Sequence, residues 1–359
     1  MGRVDAFLSC FSPHWVSTAY FTQGMAFFFK QELHILSLLW FTMYFVDILT
    51  DHSLSCMLTH TAIILLVRRA LAGGICTSTR RLDGHVVVIT GCNIGIGLET
   101  ARDLSNRGAK IIMACRNTKE AEKKATEIRG QTGGQLEVMK LDLASLTSVR
   151  EFAADLKTKE TRIHMLINNA GVMMCPQMKT EDGFDMQMGT NHFGHFLLTC
   201  LLLPLLTHSE PARIINISSL AHAMGIIPFD DWDYKKGYDR VQAYANSKLA
   251  NVLFTRQLAQ KVKETNIQVF AVHPGAVQSN LGRHIIGNLS ATDLYAIIGK
   301  NTVEGIQTTL HCALEANQEE PYYYSDCGLG YASAAARDDE AAESLWLYSQ
   351  KVVGLKNDH

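Results

Sequence analysis

From residue 85 onward the chain switches repeatedly between short β-branched runs and segments whose apolar residues recur at helical spacing. That alternation restricts the fold more than any other feature. "HVVVIT" (85–90) reads as a strand, "GLETARDLSNRG" as a helix closed by Gly108, and "AKIIMAC" as a second strand. "TKEAEKKATEIRG" follows as an exposed helix, "LEVMKLDL" as a strand, "SLTSVREFAADLK" as a helix opened by Ser145, and "IHMLINNAG" as a strand. The pattern continues through an apolar helix around "NHFGHFLLTCLLLPLL", the strand "ARIINISS", a helix carrying Tyr244 and the strand "IQVFAVHPG". Such alternation builds right-handed βαβ units. The expected class is therefore α/β: a single doubly wound parallel sheet with helices on both faces. No repeat or low-complexity linker interrupts residues 83–335, which read as one domain. Residues 336–359 read as a docking helix and tail, with Leu345, Trp346 and Val352 available for packing.

Composition excludes some functions. The net charge is -2 and no lysine/arginine block is present, whereas a nucleic-acid partner requires a concentrated basic face. The nine cysteines are scattered without a CxxC pair, so they read as reduced thiols and indicate neither a zinc site nor a disulfide framework. His192 and His195 in "NHFGHF" lie three apart without a third ligand, and no metal is expected.

"TGCNIGIG" falls directly between the first strand and the first helix. Gly91 permits a tight turn, Gly95 lets backbone approach a pyrophosphate, and Gly97 lets the helix pack near the strand; free N–H groups and the helix dipole attract the phosphates. The end of the second strand reads Ala114, Cys115, Arg116, with no carboxylate for a ribose 2′-hydroxyl. An arginine there pairs with a 2′-phosphate, so NADP(H) is expected; the other reading is an arginine facing solvent.

"YANSKLANVLF" places Tyr244 and Lys248 on one helical face. A free phenol has a pKa near 10, and a neighbouring ammonium lowers it, which suits the group to act as acid and base. A buried aromatic beside a helical lysine is the structural alternative. Ser219 weighs against it, because it ends a strand at the sheet edge where ligands bind and can hold a carbonyl oxygen. Ser218 alternates to the other face. Asn191 is a polar residue in a mostly apolar helix, and its burial calls for a backbone carbonyl or a water leading to Lys248.

The first 82 residues form a hydrophobic extension of different character. "LHILSLLWFTMYFV" and "SLSCMLTHTAIILLV" are each shorter than the ~20 residues needed to cross the hydrocarbon layer. The second run leads to Arg68 and Arg69, which can snorkel, so a tilted span or monotopic anchor is expected; two buried helices are the alternative. Arg68, Arg69, Arg80 and Arg81 place everything downstream in the cytosol by the positive-inside tendency. Met43 and Met57 leave open a shorter product, and glycosylation at Asn288 would reverse the orientation.

TGxxxGIG, "NNAG", the set Asn191, Ser219, Tyr244 and Lys248, and "HPGAV" together resemble the short-chain dehydrogenase/reductases. The finer matches are "AGGIC", "MACRN", "LINNAGVMMCP", "NHFGHFLLT" and "YANSKLANVLFTRQLA". These resemble the membrane-bound retinol dehydrogenases that act as NADPH-dependent retinal reductases. The resemblance covers nearly all of residues 76–356 and implies a Rossmann fold. It implies Tyr244 as acid/base, Lys248 as ribose ligand and pKa-lowering cation, Ser219 as carbonyl binder and Asn191 as the end of a proton relay. Gly91, Gly95, Ile96 and Gly97 would surround the pyrophosphate and Arg116 the 2′-phosphate. Asp142 would contact adenine, Asn169 and Gly171 the adenosine ribose, and Pro274 and Gly275 the nicotinamide side. The implied reaction interconverts a lipophilic aldehyde and alcohol at the endoplasmic reticulum or another intracellular membrane, with a homodimer left open. Two features depart from the family: the extension is longer than a single leader, and residues 280–303 have few large apolar side chains to wall a polyene. Met173, Met174 and Cys175 could add to an apolar pocket or belong to the core. Fatty aldehydes, steroids and xenobiotic carbonyls are the alternative substrates, and a non-catalytic NADP-binding scaffold is the alternative of another class.

Overall fold

The computed structural model describes residues 72–209, 211–277 and 299–355, together with 61, 62, 65, 66, 68 and 69. Most of the expected anchor segments, Asn288 and most of the stretch 280–303 lie outside the described residues. The chain divides into two units, residues 1–71 and 72–359. Residues 72–82, read above with the extension, belong to the second unit. Among the described residues no helix is long and apolar enough to cross a membrane.

In the second unit the first half alternates β1 (Val86–Thr90), α1 (Gly95–Asn106), β2 (Lys110–Cys115), α2 (Thr118–Thr132), β3 (Leu136–Lys140), α3 (Leu146–Lys159) and β4 (Met165–Asn168). A short turn α4 (Met186–Met188) then passes through a π-helical turn, Gly189–Phe193, into α5 (Gly194–Thr207). β5 (Ala212–Ile217), α6 (Arg240–Lys261) and β6 (Ile267–His273) follow. The end of the unit comprises α7 (Thr302–Gly305), α8 (Gln307–Leu314), β7 (Tyr323–Ser325), β8 (Gly328–Leu329) and α9 (Asp339–Val352). The strands form one sheet in the order β3-β2-β1-β4-β5-β6-β7-β8, parallel except for the last pair.

Continuous apolar strands bury both of their faces, and the alternation of side chains divides the core into two layers. Val88, Ile112, Leu166 and Ile214 pack with residues of α3, α5, α6 and α9, while Val87, Ile89, Ile111, Ile167 and Phe270 pack with α1, α2 and α8. Leu345 and Trp346 of α9 are buried in the first layer, so the C-terminal helix docks on the domain. Ser145 caps α3 by accepting from Ser148 N at 3.4 Å. Asp239 caps α6 by accepting from Val241 N and Gln242 N, which sets Tyr244 in the second turn.

The hairpin β7–β8 and the helices α7 and α8 are additions to the sequence reading. Asp326 and Cys327 make the hairpin turn with φ of 49° and 60°. Such a turn normally announces itself by Asn-Gly or Asp-Gly, and here neither left-handed position is glycine. The strand order reverses between β1 and β4, which places the ligand crevice at the carboxyl ends of these strands.

Candidate active site

The phosphate loop occupies the expected strand-to-helix junction. Gly91 and Gly95 have φ of 63° and 62°, the left-handed region that favours glycine. A Cβ on Gly97 would lie 2.3 Å from Asn169 Nδ2, 2.9 Å from Gly91 O and 3.0 Å from Cys92 Cα, so the helix approaches the strand only because that atom is missing. Ile94 at the N-cap of α1 supplies no side-chain acceptor, and no acidic residue lies in the first turn, so the N–H groups there are left for an anion. Ile96 packs toward Gly305 of α7, whose Cβ position lies 3.0 Å from Ile96 Cγ2.

These features fit a dinucleotide. Gly97→Ala is expected to weaken dinucleotide binding about tenfold and to cost roughly 1–3 kcal/mol of stability through overpacking. Fluorescence titration with NADPH and thermal melts check this, and unchanged affinity would contradict the close-approach role.

Arg116 and Asp142 follow the carboxyl ends of β2 and β3. Arg116 is exposed, and its guanidinium pairs with none of the described residues. Asp142 Oδ1 accepts from Ala144 N at 3.0 Å, which closes the turn into α3. Asn169 directs its Nδ2 to Thr90 O at 2.8 Å and Gly91 O at 3.3 Å, so its amide group braces the phosphate loop.

Asn191 lies in the π turn and is completely buried. Its Oδ1 accepts from Val172 N at 2.8 Å, and its Nδ2 donates to Val172 O and to Ser247 Oγ, each at 2.9 Å. This backbone pairing explains the burial of a polar residue among apolar neighbours. Lys248 is also buried and donates to Ile217 O at 3.0 Å, with its Nζ 5.6 Å from the centre of the Tyr244 ring. A Cβ on Gly171 would lie 3.2 Å from Asn191 Oδ1 and 3.7 Å from Lys248 Nζ, so the two polar groups converge on that glycine. Burial pulls Lys248 down to about 8 from its ordinary 10.5. The ammonium is therefore poorly solvated.

Ser219 follows β5 with its Oγ accepting from Ala221 N at 3.2 Å, while Ser218 turns its hydroxyl the other way and donates to Lys248 O at 2.8 Å. Ser219 O in turn receives His222 Nδ1 at 2.8 Å, and His222 Nε2 accepts from Ser333 N, which ties the serine turn to the C-terminal region. Pro274 and Gly275 follow β6. Gly275 has φ of 89°, and a Cβ there would lie 2.7 Å from Lys300 Cδ. Lys300 pairs with Asp326 at 2.5 Å, and both close on Gly73 of "AGGIC". Sequence reading missed this clasp, because its members are far apart along the chain.

The loop residues, Arg116, Asp142 and Asn169 follow the carboxyl ends of β1 to β4, Ser219 follows that of β5, Asn191 and Lys248 converge on Gly171, and the Tyr244 ring lies beside Lys248. Among the described residues no group of three or more His, Cys, Asp or Glu side chains is arranged to hold a metal. The family model for short chain dehydrogenases matches residues 85–288. The chain belongs to that family. Family membership makes it an oxidoreductase that uses a nicotinamide cofactor. It is 49% identical to human retinol dehydrogenase 12 over 294 residues, covering 81% of this chain and 93% of that protein. Human retinol dehydrogenase 13 is 43% identical over 84% of this chain and 95% of its own. A crystal structure of an uncharacterized protein from Mycobacterium paratuberculosis matches with a TM-score of 0.65 and 35% identity, covering 79% of this chain and 98% of that one. A short chain dehydrogenase from Shigella flexneri, solved with NADP, shares the fold at a TM-score of 0.55 and 23% identity, over 66% of this chain and 94% of its own.

Proposed function

We propose that this short chain dehydrogenase interconverts retinal and retinol, or similar lipophilic aldehydes and alcohols, using NADP(H). The observation that carries the reading is the convergence of Lys248 and Asn191 on Gly171, with Lys248 beside the Tyr244 ring and bonded to Ile217 O at the end of β5, in a chain whose similar relatives are named retinol dehydrogenases. When bound, the dinucleotide carries the hydride to or from the substrate carbon. Tyr244 gives its hydroxyl proton to the carbonyl oxygen in reduction and takes it back in oxidation. The buried Lys248 ammonium, 5.6 Å from the centre of the Tyr244 ring, favours the phenolate by its charge. Ser219 holds the carbonyl oxygen beside the phenol, and Asn191 ends the path by which the proton is replaced.

Arg116 supports NADP(H) over NAD(H), since an exposed guanidinium at the end of β2 can form paired hydrogen bonds with a 2′-phosphate. Residues 1–82 would anchor the domain at the endoplasmic reticulum or another intracellular membrane with the site facing the cytosol.

The test is NADPH consumption by detergent-solubilised protein offered retinal, a fatty aldehyde and a steroid ketone, with Arg116→Asp as control. Retinal is expected to be the preferred substrate. Arg116→Asp is expected to raise the KM for NADPH by about tenfold or more, matching the roughly 1.4 kcal/mol or more of a charge-assisted pair, and to spare NADH. Equal use of NADH and NADPH by the parent would refute the cofactor assignment, and turnover of the other carbonyls without retinal would refute the substrate.

A further inference from the structure

His195 is fully buried and lies one α-turn beyond Asn191, with each ring nitrogen placed against a single polar atom. Nε2 is 2.9 Å from Thr90 Oγ1, and Nδ1 is 3.0 Å from Asn191 O. The tautomer follows from counting donors. Thr90 Oγ1 accepts from both Asn169 N and Ala170 N, each at 2.9 Å, and so uses both of its lone pairs. Its own hydrogen must therefore go to His195 Nε2, which acts as acceptor. Nδ1 then carries the ring hydrogen and donates it to the Asn191 carbonyl.

The two ends of this bridge are different parts of the site. Thr90 is the last residue of β1, directly before Gly91, and the two N–H groups it receives belong to the loop after β4. Asn191 belongs to the π turn, where Gly194 N donates to Gly189 O five residues back instead of four. Such a widened turn is a local departure from the regular helix and needs support from outside the ladder. From this turn the Asn191 side chain reaches Val172 N and Ser247 Oγ.

We infer that His195 is a positioning residue that couples the dinucleotide cradle at Thr90 to the turn that holds Asn191 against Val172 and Ser247, where it converges with Lys248 on Gly171. This rests on the proposed roles of Asn191, Tyr244 and Lys248. The neighbouring His192 has a different part: its Nε2 meets Ser349 Oγ at 2.8 Å and its ring packs among Phe193, Phe196 and Phe254, which fastens α9 to the core. Burial pulls His195 down to about 4, so the bridge stays neutral throughout the physiological range and needs no counter-ion beside Lys248.

Three substitutions separate the two arms. His195→Asn keeps a donor near the Nδ1 position, His195→Gln keeps an acceptor near the Nε2 position, and His195→Leu keeps neither. His195→Leu is expected to lower kcat by roughly tenfold to a hundredfold, the scale of a sub-ångström to 1 Å misplacement of a catalytic group, and to weaken NADPH binding. His195→Asn should recover most of kcat but not cofactor affinity, and His195→Gln should recover affinity but not kcat. NADPH binding is followed by protein fluorescence, independently of turnover, and melts confirm that each variant is folded. The inference is overturned if all three variants retain parental kcat and affinity, or if all three lose both in step with their melting temperature. Parental turnover that survives Tyr244→Phe would instead overturn the underlying reading, and the fluorescence comparison at the Thr90 arm would still decide whether His195 braces the cradle.

Discussion

Tyr244→Phe is expected to lower NADPH-dependent aldehyde reduction by about 10²–10⁴-fold, the usual contribution of a positioned acid/base group. The ring of Tyr244 is buried on α6 and faces Lys248 at 5.6 Å, so the phenylalanine fills the same space and the fold should persist. The variant should bind NADPH with near-parental affinity, because the cradle formed by Gly91, Gly95 and Gly97 is untouched. Steady-state turnover alongside fluorescence titration separates the two effects. A variant retaining more than roughly a tenth of parental turnover would remove Tyr244 from the chemistry, since loss of a true acid/base group exceeds that.

Lys248→Met carries the second large expectation, and its effects on stability and turnover have opposite signs. Burial holds Lys248 at about 8 in the folded protein against an ordinary 10.5. Between those values the unfolded chain binds a proton that the folded chain releases, so the parent becomes more stable as pH rises through that window. Below it the full cost of burying the ammonium is present, on the order of 3 kcal/mol. Methionine has nearly the same shape and no charge, and Ile217 O keeps a donor in Asn251 Nδ2 at 3.1 Å when the lysine is gone. The cofactor-free variant should therefore be more stable than the parent near neutral pH by up to about 3 kcal/mol, with the gain fading as pH approaches the unfolded value. Turnover should fall by about 10²-fold or more, because the phenol loses the cation that favours its ionised form. Urea denaturation at neutral and alkaline pH measures the first effect. A variant that is less stable than the parent at neutral pH, or whose gain persists undiminished in alkali, would show that the buried charge is not strained in this way.

The parts of the site that sequence made legible are those written as residue type at fixed spacing. Three glycines after a β-branched run determined the loop, since each is required by a local backbone shape or a close approach. Tyr244 and Lys248 share a helical face by periodicity alone, and Asp239 and Ser145 mark helix starts through their own side chains. His192 and His195 were visible as a pair, but their spacing said only that they made no metal site. An imidazole four residues after a polar helix residue was the available signal for the bridge to Asn191, and its meaning depended on Thr90, which lies 105 residues earlier in the chain.

The amino-acid order therefore determined the class of fold, the glycine loop and the shared helical face of Tyr244 and Lys248, because hydrophobic period, glycine placement and helical spacing act within a few residues. The tertiary structure decided the rest. It alone brought Gly171 between Asn191 and Lys248, left Thr90 with one hydrogen to give and His195 as its sole taker, and closed Lys300 and Asp326 on Gly275 and Gly73. Each of these depends on which buried polar atom meets which other once distant strands pair, and a buried donor or acceptor must find its partner wherever the chain happens to place it.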